Sequence, residues 1–239
     1  MHKYKRHIAF DGTDAESPEK VLSDLLLKVF ASRSEPVVIA VGGPGGTGKS
    51  TFAKKLGRFL GKTAVLRLDD YKTPRHVRKD KNIFGPHPEA NTMDLVGEHI
   101  TLIKRNVAFD KPVYNSDTGC ADSTERFLPA RFNILDGEVS TYRDFHRDVD
   151  FSVFIDADYK TQLATRTSRD IQVRGYTWEK AILTFLHSNL REYAEYGAES
   201  KNWADMHIHC NHDYSLSIQA IASEFRRHVE SPNETLRSL

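Results

Sequence analysis

Eight consecutive residues, Gly43 to Ser50, have types and spacing that could bind a polyphosphate. They read GPGGTGKS, which matches the phosphate-binding loop pattern G-x-x-x-x-G-K-[ST]. Glycines let successive backbone N–H groups turn inward around an anion. Lys49 would place a positive charge on the β- and γ-phosphates, and the Ser50 hydroxyl would coordinate Mg²⁺. The alternative is a glycine-rich turn without a ligand. The predicted nucleotide-binding residues are Gly43, Pro44, Gly45, Gly46, Thr47, Gly48, Lys49, Ser50 and Thr51.

The segments on either side of this loop predict the elements that would hold it in place. The apolar run 37–41 is typical of a buried strand, and 51–60 has the spacing of an amphipathic helix. The first turn of that helix would present unpaired N–H groups and the positive end of its dipole to the anion. Strand, loop and helix therefore follow one another in the order that a phosphate site requires.

Carboxylates follow two further predicted strands. Asp69 and Asp70 come after the strand 64–68, and Asp136 ends the strand 131–136. Ligands of parallel α/β sheets gather at the carboxyl ends of strands, so these groups should face the γ-phosphate or its acceptor. Asp136 is a candidate Mg²⁺ partner, and Glu138 is a weaker one. A helix cap at Asp69 or Asp70 and a surface turn at Asp136 are the alternatives.

Three arginines follow the strand predicted at 151–155. Arg166 and Arg169 are three residues apart and share one face of a helix that begins at Asp158, and Arg174 lies at the following turn. Phosphoryl transfer spreads negative charge over the oxygens of the transferred group. A mobile lid carrying these arginines could stabilise that charge and exclude water. A solvated basic helix has the same pattern.

In chain order, the loop and the Leu-Asp-Asp-Tyr segment that ends at Tyr71 resemble the uridine kinase and phosphoribulokinase family of P-loop kinases. Four later stretches resemble the family as well: HPEA at 87–90, KPVY at 111–114, ILDG at 134–137, and the arginine pattern R-x-x-R-D-x-x-x-R-G at 166–175. The segment 203–208 also resembles a strand of the family near the C-terminus. The likeness spans about residues 37 to 210, in consistent order.

This resemblance implies a three-layer α/β P-loop NTPase kinase fold with a mostly parallel sheet of about five strands, a helical lid and a substrate-binding insertion. It implies ATP and Mg²⁺ as cofactors and a small-molecule hydroxyl as acceptor, nucleoside-like or sugar-like. Asp69 would accept the hydroxyl proton and contact Mg²⁺ together with Ser50 and Asp136. Asp70 is the alternative base, because adjacent residues at a strand end point to opposite sides. The implied catalytic residues are Asp69, Lys49, Arg166, Arg169 and Arg174.

The acceptor side departs from uridine kinases. Pro86 precedes His87 where those kinases usually have Asp, and the segment after Tyr114 reaches Gly119 without their Thr-His pair. Both changes remove groups that could hydrogen-bond a pyrimidine, so uridine specificity does not follow. Tyr71, Phe84 and Tyr114 could stack on a base or sugar, or they could be ordinary packing residues. The candidate substrate-contacting residues are Tyr71, Phe84, His87 and Tyr114.

Composition favours one domain. The chain has 239 residues, 39% of them hydrophobic, and a formal net charge of +1. The chain as a whole has no excess of basic residues that would indicate nucleic-acid binding. The basic run 75–81 nevertheless keeps a polynucleotide acceptor as an alternative. A non-catalytic nucleotide switch is a further alternative, but the guanine-reading N-K-x-D motif is absent. The apolar runs are shorter than the roughly 20 residues that cross a bilayer, so we expect a cytoplasmic protein without membrane contact. An oligomer remains open.

The remaining expectations concern organisation within the single domain 1–239. We expect an N-terminal extension, 1–36, with a helix capped by Ser17, an acceptor-binding insertion at 72–124, a lid at 158–178 and a frayed tail at 231–239. Residues 72–91 should be loop, 115–124 a polar turn, 178–196 helical, 206–210 the last strand and 216–229 a closing helix. Residues 207–212 include metal-binding types, but His207 and His209 would face away from Cys210 on a strand, which argues against one shared site.

Overall fold

The centre of the fold is a seven-stranded sheet in a computed structural model that describes residues 5–10 and 16–225. The strand order across this sheet is β1-β9-β8-β7-β2-β6-β3, and a separate hairpin pairs β4 with β5. The strands are β1 His7–Ala9, β2 Val37–Gly42, β3 Thr63–Arg67, β4 Phe109–Asn115, β5 Cys120–Phe127, β6 Phe132–Asp136, β7 Phe151–Ala157, β8 Met206–Cys210 and β9 Leu216–Ala222.

Helices connect the strands and cover the sheet. The α-helices are α1 Pro18–Val29, α2 Lys49–Leu60, α3 Arg75–Asp80, α4 Met93–Lys104, α5 Tyr159–Gln172 and α6 Trp178–Phe185. A π-helix, Leu186–Gly197, continues directly from α6, and a 3₁₀ turn, Leu68–Tyr71, follows β3. Further 3₁₀ turns lie at Pro88–Ala90, Arg143–Phe145, Ala198–Asn202 and Ser223–Phe225.

The five strands β3, β6, β2, β7 and β8 are mutually parallel, and β9 and β1 add an antiparallel edge. The register pairs Val41 with Asp136 and Arg67 with Asp136, so β2, β3 and β6 end at the same level. The phosphate-binding loop and the carboxylates therefore lie at one edge of the sheet, as the parallel arrangement predicts. The parallel part contains the five strands that the sequence indicates.

Two apolar cores lie on opposite faces of the sheet. Alternate residues of β2 belong to different cores: Ile39 packs with α1 and α2, and Val38 packs with α4 and the hairpin. Strands covered on both faces become continuously apolar, which explains the run at 37–41. This arrangement confirms the three-layer α/β fold.

Side-chain caps define the starts of two expected helices, α1 and α5. The Ser17 hydroxyl accepts from the Lys20 N–H at 3.4 Å, and the Asp158 carboxylate accepts from the Thr161 N–H at 2.7 Å. Such caps satisfy N–H groups that the first helical turn leaves unpaired. Both helices therefore begin where the sequence predicts.

The closing helix expected at 216–229 is wrong over its described part. Leu216–Ala222 forms β9, which pairs with β8 through the Cys210–Leu216 and Met206–Ile221 registers. Asn211 and Ser215 close the turn between these strands through backbone and side-chain hydrogen bonds. This pairing at the edge of the sheet is a tertiary contact that local apolar spacing does not encode. Residues 226–229 lie outside the described ranges.

The acceptor-side segments also contain more structure than expected. The loop expected at 72–91 includes α3, and the turn expected at 115–124 includes the start of β5. Strand β5 is exposed along most of its length, so it lacks the apolar alternation that reveals a half-buried strand. Among the described residues, no helix combines the length and apolar character needed to cross a membrane.

Candidate active site

The phosphate-binding loop connects β2 to α2 at the carboxyl edge of the sheet. Gly43, Gly46 and Gly48 have φ of +134°, +87° and +84°. A Cβ on Gly43 would lie 2.0 Å from the Ile155 carbonyl oxygen, so this position has neither the dihedral freedom nor the space for another residue. The loop therefore requires its glycines for the conformation that it adopts.

The start of α2 is suited to bind an anion. Gly48 is the N-cap and supplies no side-chain hydrogen bond, so no cap occupies the first N–H groups of the helix. The buried Lys49 side chain lies over the loop, and its Nζ donates to the Pro44 carbonyl at 2.7 Å. Burial lowers the pKa of Lys49, while the nearby Glu138 and Asp136 carboxylates act in the opposite direction. These features fit a triphosphate.

Ser50 and Asp136 lie side by side where α2 begins and β6 ends. Both border a cavity of about 570 Å³ between α2 and the edge strand β3. Burial raises the pKa of Asp136, although the adjacent Ser50 hydroxyl and Lys49 oppose that rise. Among the described residues, no group of three or more His, Cys, Asp or Glu side chains could hold a metal alone. A hydroxyl and one carboxylate fit Mg²⁺, which usually keeps water and phosphate oxygens among its ligands.

Asp69 and Asp70 occupy different environments. The Asp69 side chain is 63% exposed at the carboxyl edge, with Lys72 Nζ 4.0 Å from its Oδ1. Asp70 is buried, accepts from Lys111 Nζ at 2.8 Å and accepts from the Tyr114 backbone N–H at 3.2 Å. Asp70 therefore holds the hairpin against the 3₁₀ turn, and Asp69 is the aspartate that is open to solvent at the site.

Several cations surround Asp69. The protein around this carboxylate limits its hydration, which alone would raise its pKa, but Lys72, Arg174, Lys49 and Arg169 outweigh that effect and lower the pKa below the ordinary aspartate value. Asp69 is consequently ionised at neutral pH. An ionised carboxylate among cations can accept a proton only as the acceptor hydroxyl becomes acidic during attack.

The three predicted lid arginines converge on one buried carboxylate. Arg169 Nη2 and Arg174 Nη1 each lie 3.1 Å from Asp170 Oδ1, and Arg166 Nε lies 3.7 Å from Asp170 Oδ2. Arg166 is buried, whereas the side chains of Arg169 and Arg174 are 42% and 41% exposed. The structure thus buries Arg166 and leaves the side chains of Arg169 and Arg174 partly exposed.

Glu138 is more central than its position in the sequence indicates. Its Oε1 lies 3.5 Å from Arg166 Nη1, and its carboxylate also lies against Gly45 and Gly85. Burial would raise the pKa of Glu138, but Arg166, Lys49 and Lys72 lower it overall. Glu138 thereby connects the phosphate-binding loop, helix α5 and the segment around Gly85. In the sequence, only its position two residues after Asp136, just beyond a predicted strand, indicates that Glu138 could lie at the site.

Not every candidate acceptor residue faces the site. Tyr71 is 1% exposed, its hydroxyl bonds to His99 Nδ1 at 2.6 Å, and its ring belongs to the core, so a stacking role does not fit. Phe84 and Tyr114 are half-buried. Phe84 stacks on His187 at a centroid distance of 5.2 Å, and the Tyr114 hydroxyl accepts from Arg78 Nη2 at 2.6 Å.

His87 and Lys72 shape the loop that borders the site. His87 caps the 3₁₀ turn at 88–90, where its Nδ1 accepts from the Glu89 N–H at 3.1 Å. Lys72 Nζ donates to the Gly85 carbonyl at 3.1 Å and to Asn91 Oδ1 at 2.8 Å, which closes the base of the loop. Sequence reasoning missed Lys72, although it directly follows the Asp-Asp-Tyr segment.

Comparisons with known proteins agree with this geometry. The model of the Phosphoribulokinase / Uridine kinase family matches residues 38–217. The chain is 33% identical over 176 residues to a phosphoribulokinase from Synechocystis sp., which covers 72% of this chain and 53% of that protein. It is 28% identical over 203 residues to a uridine kinase from Geobacillus kaustophilus, which covers 82% of this chain and 96% of that one.

Solved structures show the same fold at low identity. A candidate fructose transport system kinase from Silicibacter sp. superposes with a TM-score of 0.66 at 18% identity, covering 75% of this chain and 93% of that one. Phosphoribulokinase from Rhodobacter spheroides gives 0.56 at 15% identity, covering 75% and 71%. The chain spans about half the length of the curated phosphoribulokinases that it matches. Kinases of this family use ATP with Mg²⁺. The chain belongs to the phosphoribulokinase and uridine kinase family.

Proposed function

We propose that this chain is an ATP-dependent kinase that transfers the γ-phosphate of Mg-ATP to a hydroxyl of a small sugar-like molecule bearing an anionic group. The observation that carries the proposal is the position of Asp69. This carboxylate is open at the carboxyl edge that also holds the phosphate-binding loop, and it is surrounded by cations. A base next to a triphosphate site is the arrangement that hydroxyl phosphorylation requires.

On the donor side, the backbone N–H groups of residues 43 and 45–50 and the Lys49 ammonium would hold the phosphates. Ser50 and Asp136 would hold Mg²⁺, which when bound neutralises charge on the phosphate oxygens. Asp136 would have to be ionised to do so, and a bound dication would favour that form. Asp69 would orient the acceptor hydroxyl and accept its proton as the new O–P bond forms and the bond to ADP breaks.

The lid would supply the remaining positive charge. We assign residues 158–178 to this lid, with Arg166 anchored and Arg169 and Arg174 free to turn from Asp170 toward the transferring group. Donors placed where charge develops lower the barrier, and closure would exclude water that could otherwise hydrolyse ATP. The insertion 72–124 would then border the acceptor opposite the lid.

An anionic acceptor is favoured over a neutral nucleoside by the charges of this insertion. Lys72 lies 4.0 Å from Asp69, and Arg78 lies against Tyr114. The changes at Pro86 and Gly119 remove side chains that could pair with a pyrimidine, and the matched phosphoribulokinases are named for a phosphorylated sugar. A nucleoside remains the second candidate, because the Geobacillus uridine kinase matches over nearly its whole length and half-buried Phe84 has an aromatic face.

The experiment is ADP release from purified protein and Mg-ATP with pentose phosphates, hexose phosphates, neutral sugars, nucleosides and short DNA as acceptors. We expect release that depends on a sugar phosphate. Release with uridine or cytidine alone would replace the proposal with its second candidate, and release with DNA that falls steeply with salt would favour a polynucleotide acceptor. Tight ATP binding without release for any acceptor would favour the non-catalytic switch.

A further inference from the structure

The π-helix Leu186–Gly197 contacts both loops that border the candidate active site. π-helices are rare and occur frequently at functional sites. This π-helix continues directly from α6, which begins where the proposed lid, residues 158–178, ends. Two of its polar side chains, Asn189 and Glu192, are buried at 3% and 6% exposure. Neither enters the phosphoryl-transfer mechanism proposed above.

Asn189 joins the phosphate-binding loop to the lid. Its Nδ2 donates to the Gly45 carbonyl at 2.8 Å and to Gln162 Oε1 at 2.8 Å, and its Oδ1 accepts from Arg166 Nη1. Both donors and the acceptor of this amide are therefore used. A change in the position of Gly45 or Arg166 must move Asn189 or break one of these bonds.

Glu192 holds the acceptor-side loop, residues 80–92, from the same helix. Its Oε1 and Oε2 both lie 2.9 Å from the Phe84 backbone nitrogen, which donates to them. Within the described ranges, no Lys, Arg or His lies within 4.0 Å of this carboxylate as an ion-pair partner. Burial raises the pKa of Glu192, while the backbone N–H groups of Phe84 and His87 and the more distant His87 and Arg191 charges oppose that rise. Two of these contacts come from the backbone of the loop, so the loop helps to offset the cost of burying this carboxylate.

Ring contacts reinforce the link between the π-helix and the acceptor-side loop. His187 stacks on Phe84 with an interplanar angle of 4°, and Tyr196 packs on His87 at a centroid distance of 4.6 Å. Two loop residues three positions apart, Phe84 and His87, are thus attached to the π-helix. The short helix can transmit a displacement because both sets of contacts lie on one continuous element.

We propose that Asn189 and Glu192 are positioning residues that couple nucleotide binding to the order of the acceptor-side loop, residues 80–92. Nucleotide phosphates would fix Gly45 and Arg166, these would fix Asn189, and Glu192 would then hold Phe84 in place. Because coupling between two binding events is reciprocal, a bound acceptor would also tighten the nucleotide site. The inference rests on the proposed function for the identity of the two ligands, but its contacts exist independently of the acceptor.

Hydrogen–deuterium exchange tests this coupling without a known acceptor. In the wild-type protein, we expect a non-hydrolysable ATP analogue with Mg²⁺ to slow exchange in residues 43–52 and also in residues 80–92. Glu192→Ala should speed exchange of 80–92 about tenfold in the free protein, the factor that corresponds to about 1.4 kcal/mol for a lost bond to a charged group. With saturating analogue, Asn189→Ala should keep the protection of 43–52 and lose that of 80–92.

Two further variants separate positioning from a general structural role. Glu192→Gln keeps a side-chain oxygen for the Phe84 N–H and should restore most of the protection, and Glu195→Gln changes an exposed carboxylate of the same helix and should behave as wild type. Thermal unfolding of each variant checks that it is folded. Once an acceptor is identified, Glu192→Ala should raise the acceptor KM about tenfold and leave the affinity for ATP in the absence of acceptor unchanged.

Two results would overturn the proposal. One is equal exchange of 80–92 in folded Glu192→Ala and wild type. The other is equal protection of 80–92 by the analogue in Asn189→Ala and wild type. If the analogue fails to protect 43–52 even in the wild type, the proposed function fails instead, and the Glu192 comparison in the free protein still decides whether the loop is held from the π-helix.

Discussion

The buried ion pair between Asp70 and Lys111 allows stability and catalysis to be separated at adjacent aspartates. Asp70→Asn keeps the side-chain shape and an oxygen for the Tyr114 N–H but removes the charge opposite Lys111 Nζ, 2.8 Å away. Breaking a buried pair costs about 3–5 kcal/mol. Lys111 also lies 2.9 Å from the exposed Glu125 carboxylate, so we expect the lower end, about 3 kcal/mol. At about 2–4 °C per kcal/mol for a chain of this size, Tm should fall by about 6–12 °C.

Asp69→Asn is the matched control for this prediction. Its side chain is 63% exposed, so Tm should change by no more than about 2 °C, whereas turnover should fall by about 10²–10⁴-fold with loss of the base. Circular dichroism melting and ADP release at a temperature well below both transitions give the two readouts. Asp70→Asn with an unchanged Tm, or Asp69→Asn with a wild-type rate, would refute the assignment.

A double variant checks the physical cause of the Asp70 effect. Asp70→Leu combined with Lys111→Met removes both charges and leaves neither one buried alone. Replacement of a buried pair by apolar side chains is often neutral or stabilising, so the double variant should recover most of the stability that Asp70→Asn loses. A double variant as unstable as the single one would show that the charges are not the cause.

Three other perturbations address the loop, the lid and pH dependence. Gly43→Ala should abolish ATP binding in a calorimetric titration, because its Cβ would clash with the Ile155 carbonyl, and near wild-type affinity would contradict the loop geometry. Arg174→Ala should lower kcat by about 10²-fold or more with little change in Tm, since this side chain is half exposed; an unchanged kcat would remove it from the lid. Burial, with the His7 ring tilted against it at a centroid distance of 4.1 Å, lowers the pKa of His207 to about 4. In the unfolded chain this histidine has an ordinary pKa near 6.5, so between pH 6.5 and 4 the unfolded state binds more protons than the folded state. The free energy of unfolding should therefore decrease as the pH is lowered from 6.5 to 4. The decrease should be smaller in His207→Gln, by on the order of 1 kcal/mol. Urea unfolding at pH 4.5 and 7 measures this difference. An equal change in the free energy of unfolding between the two pH values in both proteins would contradict the prediction.

The donor half of the site could be predicted from the sequence because it is local. Residues 43–50 carry their own conformational requirements, and the apolar run before them and the helical spacing after them place the loop at a strand end. The parallel register then brings Asp136 to the same edge. The pairing of parallel strands is the only long-range feature that this prediction uses.

The acceptor half depends on contacts that sequence spacing does not reveal. Tyr71 faces the core because Leu68–Tyr71 turns as a 3₁₀ segment, which an extended strand end would not do. Strand β5 is polar and exposed, so its pattern resembles a loop. Asn189 and Glu192 reach loops more than a hundred residues earlier in the chain, and each is unremarkable in its local sequence.

The proposed function requires this edge of the sheet to transfer phosphate from ATP to a sugar-like hydroxyl, with Asp69 as the base. The most direct measurement follows γ-³²P from labelled ATP into a sugar phosphate, in the wild type and in Lys49→Met and Asp69→Asn. We expect labelled product from the wild type alone, with both variants folded and Asp69→Asn still binding ATP. Product at the wild-type rate from either variant, or ATP binding without transfer to any sugar or sugar phosphate, would contradict the account.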